Sequence, residues 1–229
     1  MGNGLSYLDV REAVAGAAAT LFAHGVMSRT GHGDLSARAP GDHLILTIPG
    51  RLRGLTPQEL AMVSLDGEVV EGELDSLKME IAELHARLYR LRPDIGCIIH
   101  THSAYVLAFA LANRPLPCNY EAMRFGQPAE VPVIPWRRRG TPEWIDTIVA
   151  GVQEHEGTNA VLLGNHGSLV FGSTPAQTVT LSTVLEEAAE GEIHADRLGG
   201  AKPLQLGEPQ PAIQEKQTDY SERPGGALP

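Results

Sequence analysis

The chain has 229 residues, of which 42% are hydrophobic and 20% charged, enough for one domain with a large core. Its formal net charge of -10 argues against nucleic acid as the main partner. No apolar run approaches the length of a membrane span, the amino terminus lacks a secretory pattern, and the two cysteines show no metal-ligand spacing. We therefore expect a cytoplasmic protein with no membrane association.

The first part of the chain is predicted to be a helix followed by a meander of short strands. Apolar residues recur at helical spacing from Tyr7 to Met27, with His24-Gly25 as the predicted stop. A glycine-rich turn that contains Asp34 follows, and His43–Gly50 is predicted to be a strand that ends in a Pro-Gly turn. Met62–Val70 is predicted to be a hairpin on an Asp-Gly turn.

The second part is predicted to alternate helices with buried strands, which together with the meander indicates a layered α/β fold with a partly antiparallel sheet. Residues 199–229 are rich in Pro, Gly and Gln and are predicted to be an extended tail. The helices are predicted at 79–91, 103–113, 119–126, 142–153 and 175–195, and strands at 95–102, 131–134 and 160–166.

Three histidines stand at the ends of two predicted strands. His100 and His102 follow an apolar run, and side chains two residues apart in a strand project from the same face. His166 ends a second apolar run, between glycines. Three imidazoles from two strand ends would form a ligand set with open positions, which is typical of a catalytic metal site. The alternative is that each is a hydrogen-bonded strand-end histidine.

Other polar residues have competing interpretations. Glu80 lies near the start of a helix, where the helix dipole favours a carboxylate without any function. The run Arg137–Arg139 could bind an anion, but a solvated loop or a subunit contact is favoured. Tyr120 is as well explained by burial as by chemistry.

These residues resemble the class II aldolase/adducin family over about residues 7–198, which we take as one domain, with 199–229 as its tail. The resemblance is carried by His85-x-x-x-Tyr89-x-x-Arg92-Pro93-Asp94, His100-Thr101-His102-Ser103, Asn113-Arg114 and Leu163-Gly164-Asn165-His166-Gly167. It implies a three-layer αβα sandwich with a central mixed, largely antiparallel sheet. It also implies a homotetramer with interfacial active sites, and a divalent metal ion on His100, His102 and His166. Zinc is the expected ion, with manganese, cobalt and iron as alternatives.

The chain departs from the family's sugar-phosphate aldolases at the catalytic glutamate. Those enzymes carry Ser-Ser-Glu before the helix of His85, whereas this chain has Ser76–Ile81 there, and Ile81 falls in the place of the glutamate. A shift of one residue at the helix start would restore Glu80, which we predict as the acid/base. The family's proton-donating tyrosine falls near Glu121, so Tyr120 and Glu121 are the predicted second proton carriers.

The predicted substrate side also departs from the family. A Gly-Asn turn of the aldolases is Gly33-Asp34 here, and the added negative charge opposes a phosphate group, although the turn that ends at Gly50 is kept. We predict a small-molecule substrate without phosphate, a hydroxy or keto acid that Lys78 or Arg51 could meet. The predicted substrate-binding residues are Asp34, Gly50 and Lys78.

The predicted function is a metal-dependent lyase that makes or breaks a carbon–carbon bond next to a carbonyl through an enediolate. Epimerisation or decarboxylation would use the same intermediate. A further alternative is a non-haem Fe(II) oxygenase, because the chain also resembles the prenylated-hydroxybenzoate pathway oxygenases, and a last one is a non-catalytic interaction domain as in adducin.

Overall fold

The computed structural model describes residues 6–125 and 130–204 of the chain, and its centre is one large sheet. The strands are β1 (Gly33–Ala39), β2 (His43–Thr47), β3 (Leu60–Ser64), β4 (Val69–Glu71), β5 (Cys97–Thr101), β6 (Leu116–Pro117), β7 (Glu130–Val131), β8 (Val133–Ile134), β9 (Ala160–Leu163) and β10 (Gly167–Gly172). Eight form the sheet, in the order β4-β3-β2-β1-β5-β10-β9-β8, and β6 pairs with β7. Neighbours in the sheet are antiparallel except β8 and β9.

Helices cover both faces of the sheet. They are α1 (Tyr7–Ala23), α2 (Ser76–Leu91), α3 (Ala104–Ala112), α4 (Pro142–Glu154) and α5 (Pro175–Asp196). Adjacent residues of β5 face opposite layers: Ile98 packs in one cluster with residues of α2 and α4, and Ile99 in another with residues of α1. A third cluster joins α3 and α5 to β9 and β10. The predicted αβα sandwich with a mixed, largely antiparallel sheet is confirmed.

Local chemistry explains where the helices begin and end. The Asp75 side chain accepts a hydrogen bond from the Lys78 backbone at 2.8 Å, so α2 begins at Ser76, three residues before the predicted start. The predicted stop of α1 is confirmed, because His24 caps the helix and Gly25 has a φ of 74°. The short helix predicted at 119–126 is a 3-10 turn over Glu121–Phe125, and Gly126 lies outside the described residues.

The strand predicted at 131–134 is two short strands. Pro132 lacks a backbone N–H and interrupts the ladder. β7 pairs with β6, whereas β8 runs parallel to β9, with Ile134 opposite Leu163. This pairing places the loop that follows β8 beside the end of β9, which leads directly to His166.

A buried carboxylate fixes the segment that follows His102. Glu186 of α5 accepts hydrogen bonds from the backbone N–H groups of Tyr105 and Val106, both at 2.9 Å. A carboxylate at the positive end of α3 is electrostatically favourable. The chain that leaves β5 is therefore held against α5.

The predicted division of the chain at residue 198 stays a prediction, because residues 205–229 of the proposed tail lie outside the described residues. None of the helices in the described ranges combines the length and the apolar character needed to cross a bilayer.

Candidate metal centre

β5 delivers two histidines to one end of the sheet. His100 lies opposite Asp34 of β1 and Leu169 of β10, and His102 follows just after the strand. Backbones come very close here: a Cβ built on Gly167 would lie 2.5 Å from the Thr101 carbonyl oxygen and 2.7 Å from the His102 ring. Only glycine fits at this position.

His166 is held by a tight turn between β9 and β10. Asn165 has a φ of 58°, a left-handed conformation that asparagine tolerates better than most residues. Its backbone N–H donates to Ala110 at 2.9 Å, and its side chain accepts from Asn113 at 3.0 Å. The Asn113 and Asn165 motif residues therefore hold the turn that carries His166.

The three histidines converge. One ring nitrogen from each of His100, His102 and His166 lies within 4.8 Å of the others, and the ring centroids are 4.6 to 5.0 Å apart. Nδ1 of His100 donates to the Ser168 carbonyl at 2.9 Å, which leaves its Nε2 as the ligand atom. This donor set fits a divalent transition-metal ion such as zinc.

The electrostatics favour neutral rings. Burial lowers the pKa of His100, and it lowers the pKa of His102 to about 4 and that of His166 to about 3, with further lowering from the neighbouring histidines. Neutral imidazoles at pH 7 have free lone pairs, so a metal ion need not displace protons.

Asp34 is buried beneath His100 rather than exposed to a ligand. It is 4% exposed, and its Oδ1 lies 3.2 Å from Nε2 of His85. Burial acts to raise the pKa of this carboxyl, but the hydrogen bond from His85 and the nearby His100 and Lys78 hold it well below its ordinary value. Nδ1 of His85 forms a hydrogen bond with the Ser36 hydroxyl at 2.8 Å, and this hydroxyl forms another with the Tyr89 hydroxyl at 2.9 Å. The Asp34 carboxylate thus faces His85, and its predicted substrate contact stays a prediction.

A cavity of about 240 Å³ opens beside His166. Its lining residues are Ile134, Pro135, Trp136, Arg137, Arg139, Trp144, Ile148, Leu163, Gly164, Asn165 and His166. A much smaller space between the histidines and α2 is lined by Asp34, Ile81, Leu84, His85, His100, Arg139, Trp144, Leu163, His166 and Leu169. The candidate site therefore spans the histidine group, the start of α2 and the loop after β8.

The structure does not bring Glu80 to the histidines. Its Oε1 accepts a hydrogen bond from the Gly140 backbone at 2.7 Å, and its Oε2 lies 3.3 Å from Nε of Arg139. Ile81 instead lines the space beside His100, because consecutive helix residues point about 100° apart. The register counted from His85 thus holds without the one-residue shift.

The remaining predicted residues are dispersed. Tyr120 is 44% exposed and lies in a surface depression with residues of α5, and Glu121 is exposed as well. Neither lines the cavities of the histidine group. Gly50 is exposed, and the next residue, Arg51, forms an isolated antiparallel β-bridge with His32. The backbone of His32 in turn forms a hydrogen bond with the His102 side chain.

Lys78, another of the predicted substrate-binding residues, is buried as well. It is 6% exposed. Burial lowers its pKa, while Asp34 and Asp75 act to raise it and Arg139 acts to lower it further. A cation is thus held close to the Asp34–His85 pair.

From the sequence, a solvated loop or a subunit contact was favoured over anion binding for the Arg137–Arg139 run, and Trp136 and Trp144 were not singled out. Arg139 lines both cavities, and its guanidinium lies over the Trp144 ring, 5.1 Å from the centroid. The position of this loop depends on the parallel pairing of β8 with β9, a long-range contact that the sequence alone does not reveal. The carboxyl ends of parallel strands meet at one edge of a sheet, so the loop after Ile134 had to lie near His166.

Known proteins are similar to this chain along most of its length. It is 28% identical over 169 residues to the 5-methylthioribulose-1-phosphate/5-deoxyribulose-1-phosphate aldolase of Escherichia coli O45:K1 (strain S88), covering 72% of this chain and 76% of that protein. It is 29% identical over 191 residues to the 3-oxo-tetronate 4-phosphate decarboxylase of Escherichia coli K12, covering 80% and 85%.

A solved L-fuculose 1-phosphate aldolase superposes with a TM-score of 0.76 at 25% identity, covering 86% of this chain and 90% of that one. The family model for the class II aldolase and adducin N-terminal domain matches residues 12–193. The relatives thus include sugar-phosphate aldolases and a decarboxylase. The chain belongs to the class II aldolase and adducin family.

Proposed function

We propose that this chain is a divalent-metal-dependent lyase that breaks or forms a carbon–carbon bond next to a carbonyl in a hydroxy or keto acid without phosphate. The observation that carries the proposal is the histidine group itself: three imidazoles whose ring nitrogens lie within 4.8 Å of one another, one of which, His166, lines the cavity. Zinc as the ion and a homotetramer are finer parts of the proposal that rest on the motif resemblance. A cytoplasmic location is a further part, and it rests on Cys97 and Cys118, which are not joined to each other by a disulfide.

His100, His102 and His166 would hold the ion, and when bound it supplies Lewis-acid polarisation of substrate oxygens. The chain's own part is orientation and exclusion of water. The Ser168 carbonyl fixes the His100 ring, and the Asn113–Asn165 contact fixes the turn of His166. Ile81, Leu163 and Leu169 keep the neighbouring space apolar.

A substrate without phosphate is supported by the turn at Gly33-Asp34. The carboxylate of Asp34 is an acceptor only and cannot donate to a phosphate oxygen. It is also engaged with His85 and has 4% exposure. The relatives named above have phosphorylated substrates in their names, so this chain would differ from them in substrate.

Decarboxylation is the second candidate, and the place of Ile81 favours it. Aldol cleavage needs a base that takes the proton of the substrate hydroxyl. Ile81, which lines the space beside His100, can take no proton. Loss of CO2 needs no such base, because the bonding electron pair stays on the carbon next to the carbonyl, which afterwards takes up one proton. Similarity to a decarboxylase supports this candidate.

The test is product analysis on protein purified anaerobically and loaded separately with zinc, manganese, cobalt or iron(II). The substrates are a panel of 4-hydroxy-2-oxo acids and 3-oxo acids, and the products are followed by NMR together with an oxygen electrode. Pyruvate plus an aldehyde identifies aldol cleavage, and CO2 with the shortened ketone identifies decarboxylation. Oxygen consumption would replace the lyase by an oxygenase, and no product with any metal would favour a non-catalytic domain. His166→Ala should remove the activity, whereas the exposed His155→Ala should keep it.

In the proposed homotetramer, Tyr120 and Glu121 of one subunit could reach the histidine group of a neighbouring subunit. Within one chain they line neither cavity of the histidine group, so proton transfer by them requires a second copy. Mixed oligomers of His166→Ala and Tyr120→Phe chains should be more active than either variant alone. Mixtures that never exceed the sum of the separate variants would remove Tyr120 from the proposal.

A further inference from the structure

We propose that the cavity beside His166 binds an organic acid with a flat apolar body, that Arg139 is its anion-binding residue, and that Glu80 positions Arg139. This inference rests on the proposed function, because it names the substrate class of the same site. Glu80 was predicted from the sequence to carry a proton. Here it is assigned a different role, which is to orient the guanidinium group of Arg139.

The size and walls of the cavity define the body of the ligand. About 240 Å³ is less than the roughly 300 Å³ at which drug-sized pockets begin, so the ligand is small. Trp136, Trp144, Ile148 and Leu163 form apolar and aromatic walls. The hydroxyl groups of a sugar would lose water here without gaining hydrogen bonds, whereas an aromatic ring can stack on the indoles.

Arg139 supplies the charge. Its Nε and Nη2 both lie 3.3 Å from Oε2 of Glu80, and Nη2 donates to the Leu77 carbonyl at 3.4 Å. An arginine offers five N–H donors, so one carboxylate on one edge leaves donors for a second carboxylate. Nη1 has no hydrogen-bond partner within residues 6–125 and 130–204 and is the donor we assign to the ligand.

Glu80 holds the loop as well as the side chain. Its Oε1 accepts the backbone N–H of Gly140 at 2.7 Å, so one carboxylate bonds two consecutive residues of the loop. The Glu80 side chain is only 13% exposed. A carboxylate that is largely shielded from water orients the arginine paired with it better than a fully solvated carboxylate does. Stacking on Trp144 fixes the plane of the guanidinium.

The balance of charge in the cavity still favours an anion. Arg137 and Arg139 line it, and Lys78 lies close by. Glu80 offsets one of these cations and Asp34 is engaged with His85, so a net positive charge faces the ligand. A carboxylate on the substrate would meet Arg139 while its carbonyl end reaches His166.

The two tryptophans of the chain, Trp136 and Trp144, both line this cavity, which gives a local probe. Full-length protein loaded with zinc and labelled with 5-fluorotryptophan has two fluorine signals, assigned with Trp136→Phe. The probes are 3-phenylpropionate, the neutral 3-phenylpropan-1-ol, propionate and glycerone phosphate. We expect 3-phenylpropionate to shift both signals saturably, and the alcohol and propionate to bind at least about tenfold more weakly.

Variants distinguish the effect of the Arg139 charge on binding from an effect on folding. Arg139→Gln should weaken 3-phenylpropionate binding by roughly 10- to 100-fold, Arg139→Lys should restore part of it, and the matched control Arg138→Gln should leave it unchanged. Unchanged binding in a folded Arg139→Gln protein would overturn the proposal, and so would preferential binding of glycerone phosphate. The fluorine signals report binding without any turnover. A chain that binds the acid and makes no product would therefore contradict the proposed lyase activity and leave the binding proposal intact.

Discussion

Asp34 Oδ1 lies 3.2 Å from Nε2 of His85, and both side chains are almost completely buried, at 4% and 1% exposure. From His85, hydrogen bonds lead to Ser36 and from Ser36 to Tyr89, so four buried polar side chains lie in one row between the sheet and α2. Asp34 is also the β1 partner of His100. The row supports the strand positions from which the histidine group projects.

Removing one partner of this pair should be costly. Asp34→Ala leaves one ring nitrogen of buried His85 without its polar partner, which predicts a loss of about 1–3 kcal/mol in the free energy of unfolding. The control is Asp146→Ala, since Asp146 pairs with Arg87 at 2.7 Å on the surface and should contribute less than about 1 kcal/mol. Urea unfolding at pH 7 measures both values. Equal losses in the two variants would contradict the structural role of Asp34.

The same pair predicts an acid-dependent stability. The pKa of Asp34 is lower in the folded protein than in the unfolded chain, so below about pH 4 the unfolded state binds more protons. Its stabilisation is fully present above that pH and is lost as the pH falls further. Asp94, whose pKa is lowered by hydrogen bonds from Arg92, acts in the same direction. Unfolding between pH 7 and 3 should therefore show a shallower acid loss in Asp34→Ala than in the wild type, and equal slopes would contradict this.

A glycine beside the histidines offers a test of the metal geometry. Gly167→Ala would place a methyl group 2.7 Å from the His102 ring and 2.5 Å from the Thr101 carbonyl oxygen, so β5 or the ring must move. We expect zinc affinity, measured against a chromophoric chelator, to fall at least about tenfold.

The control for this variant is Gly16→Ala, which points into open space on α1. It should keep the zinc affinity and raise the free energy of unfolding by about 0.5–1 kcal/mol. A folded Gly167→Ala protein with the zinc affinity of the wild type would show that the three ring positions are not those described.

The role of Glu80 can be read from kinetics once a substrate is found. If Glu80 orients Arg139, Glu80→Gln should raise KM about tenfold with kcat largely retained and the pH profile unchanged. Glu83→Gln, one turn along the exposed side of α2, should change neither. A large loss of kcat together with a lost limb of the pH profile would instead restore Glu80 as the acid/base.

How well the sequence predicts the position of a site residue depends on how far apart in the sequence that residue and its contacts lie. The alternation of a strand places His100 and His102 on one face, which is a local rule. His166 reaches them through the pairing of β10 with β5, and the sequence indicates this only by its similar position at a strand end. The helical face of α2 is equally local, and the count from His85 correctly puts Ile81 at the cavity.

Arg139 and Tyr120 show where such rules fail. The run of arginines has no periodicity, and the position of Arg139 depends on the parallel pairing of β8 with β9, which is a long-range contact. Burial of Tyr120 was an even alternative from the sequence, but the side chain is 44% exposed. Asp34 was assigned to a ligand because its partner His85 is 51 residues away in the sequence.

The metal centre is tested most directly by the metal content after anaerobic purification, for the wild type beside His166→Ala and the exposed control His155→Ala. We expect about one divalent ion per chain in the wild type and in the control, and an affinity at least about 100-fold lower in His166→Ala. A wild-type protein that binds no divalent ion under any condition, or an ion retained undiminished in His166→Ala, would contradict this expectation.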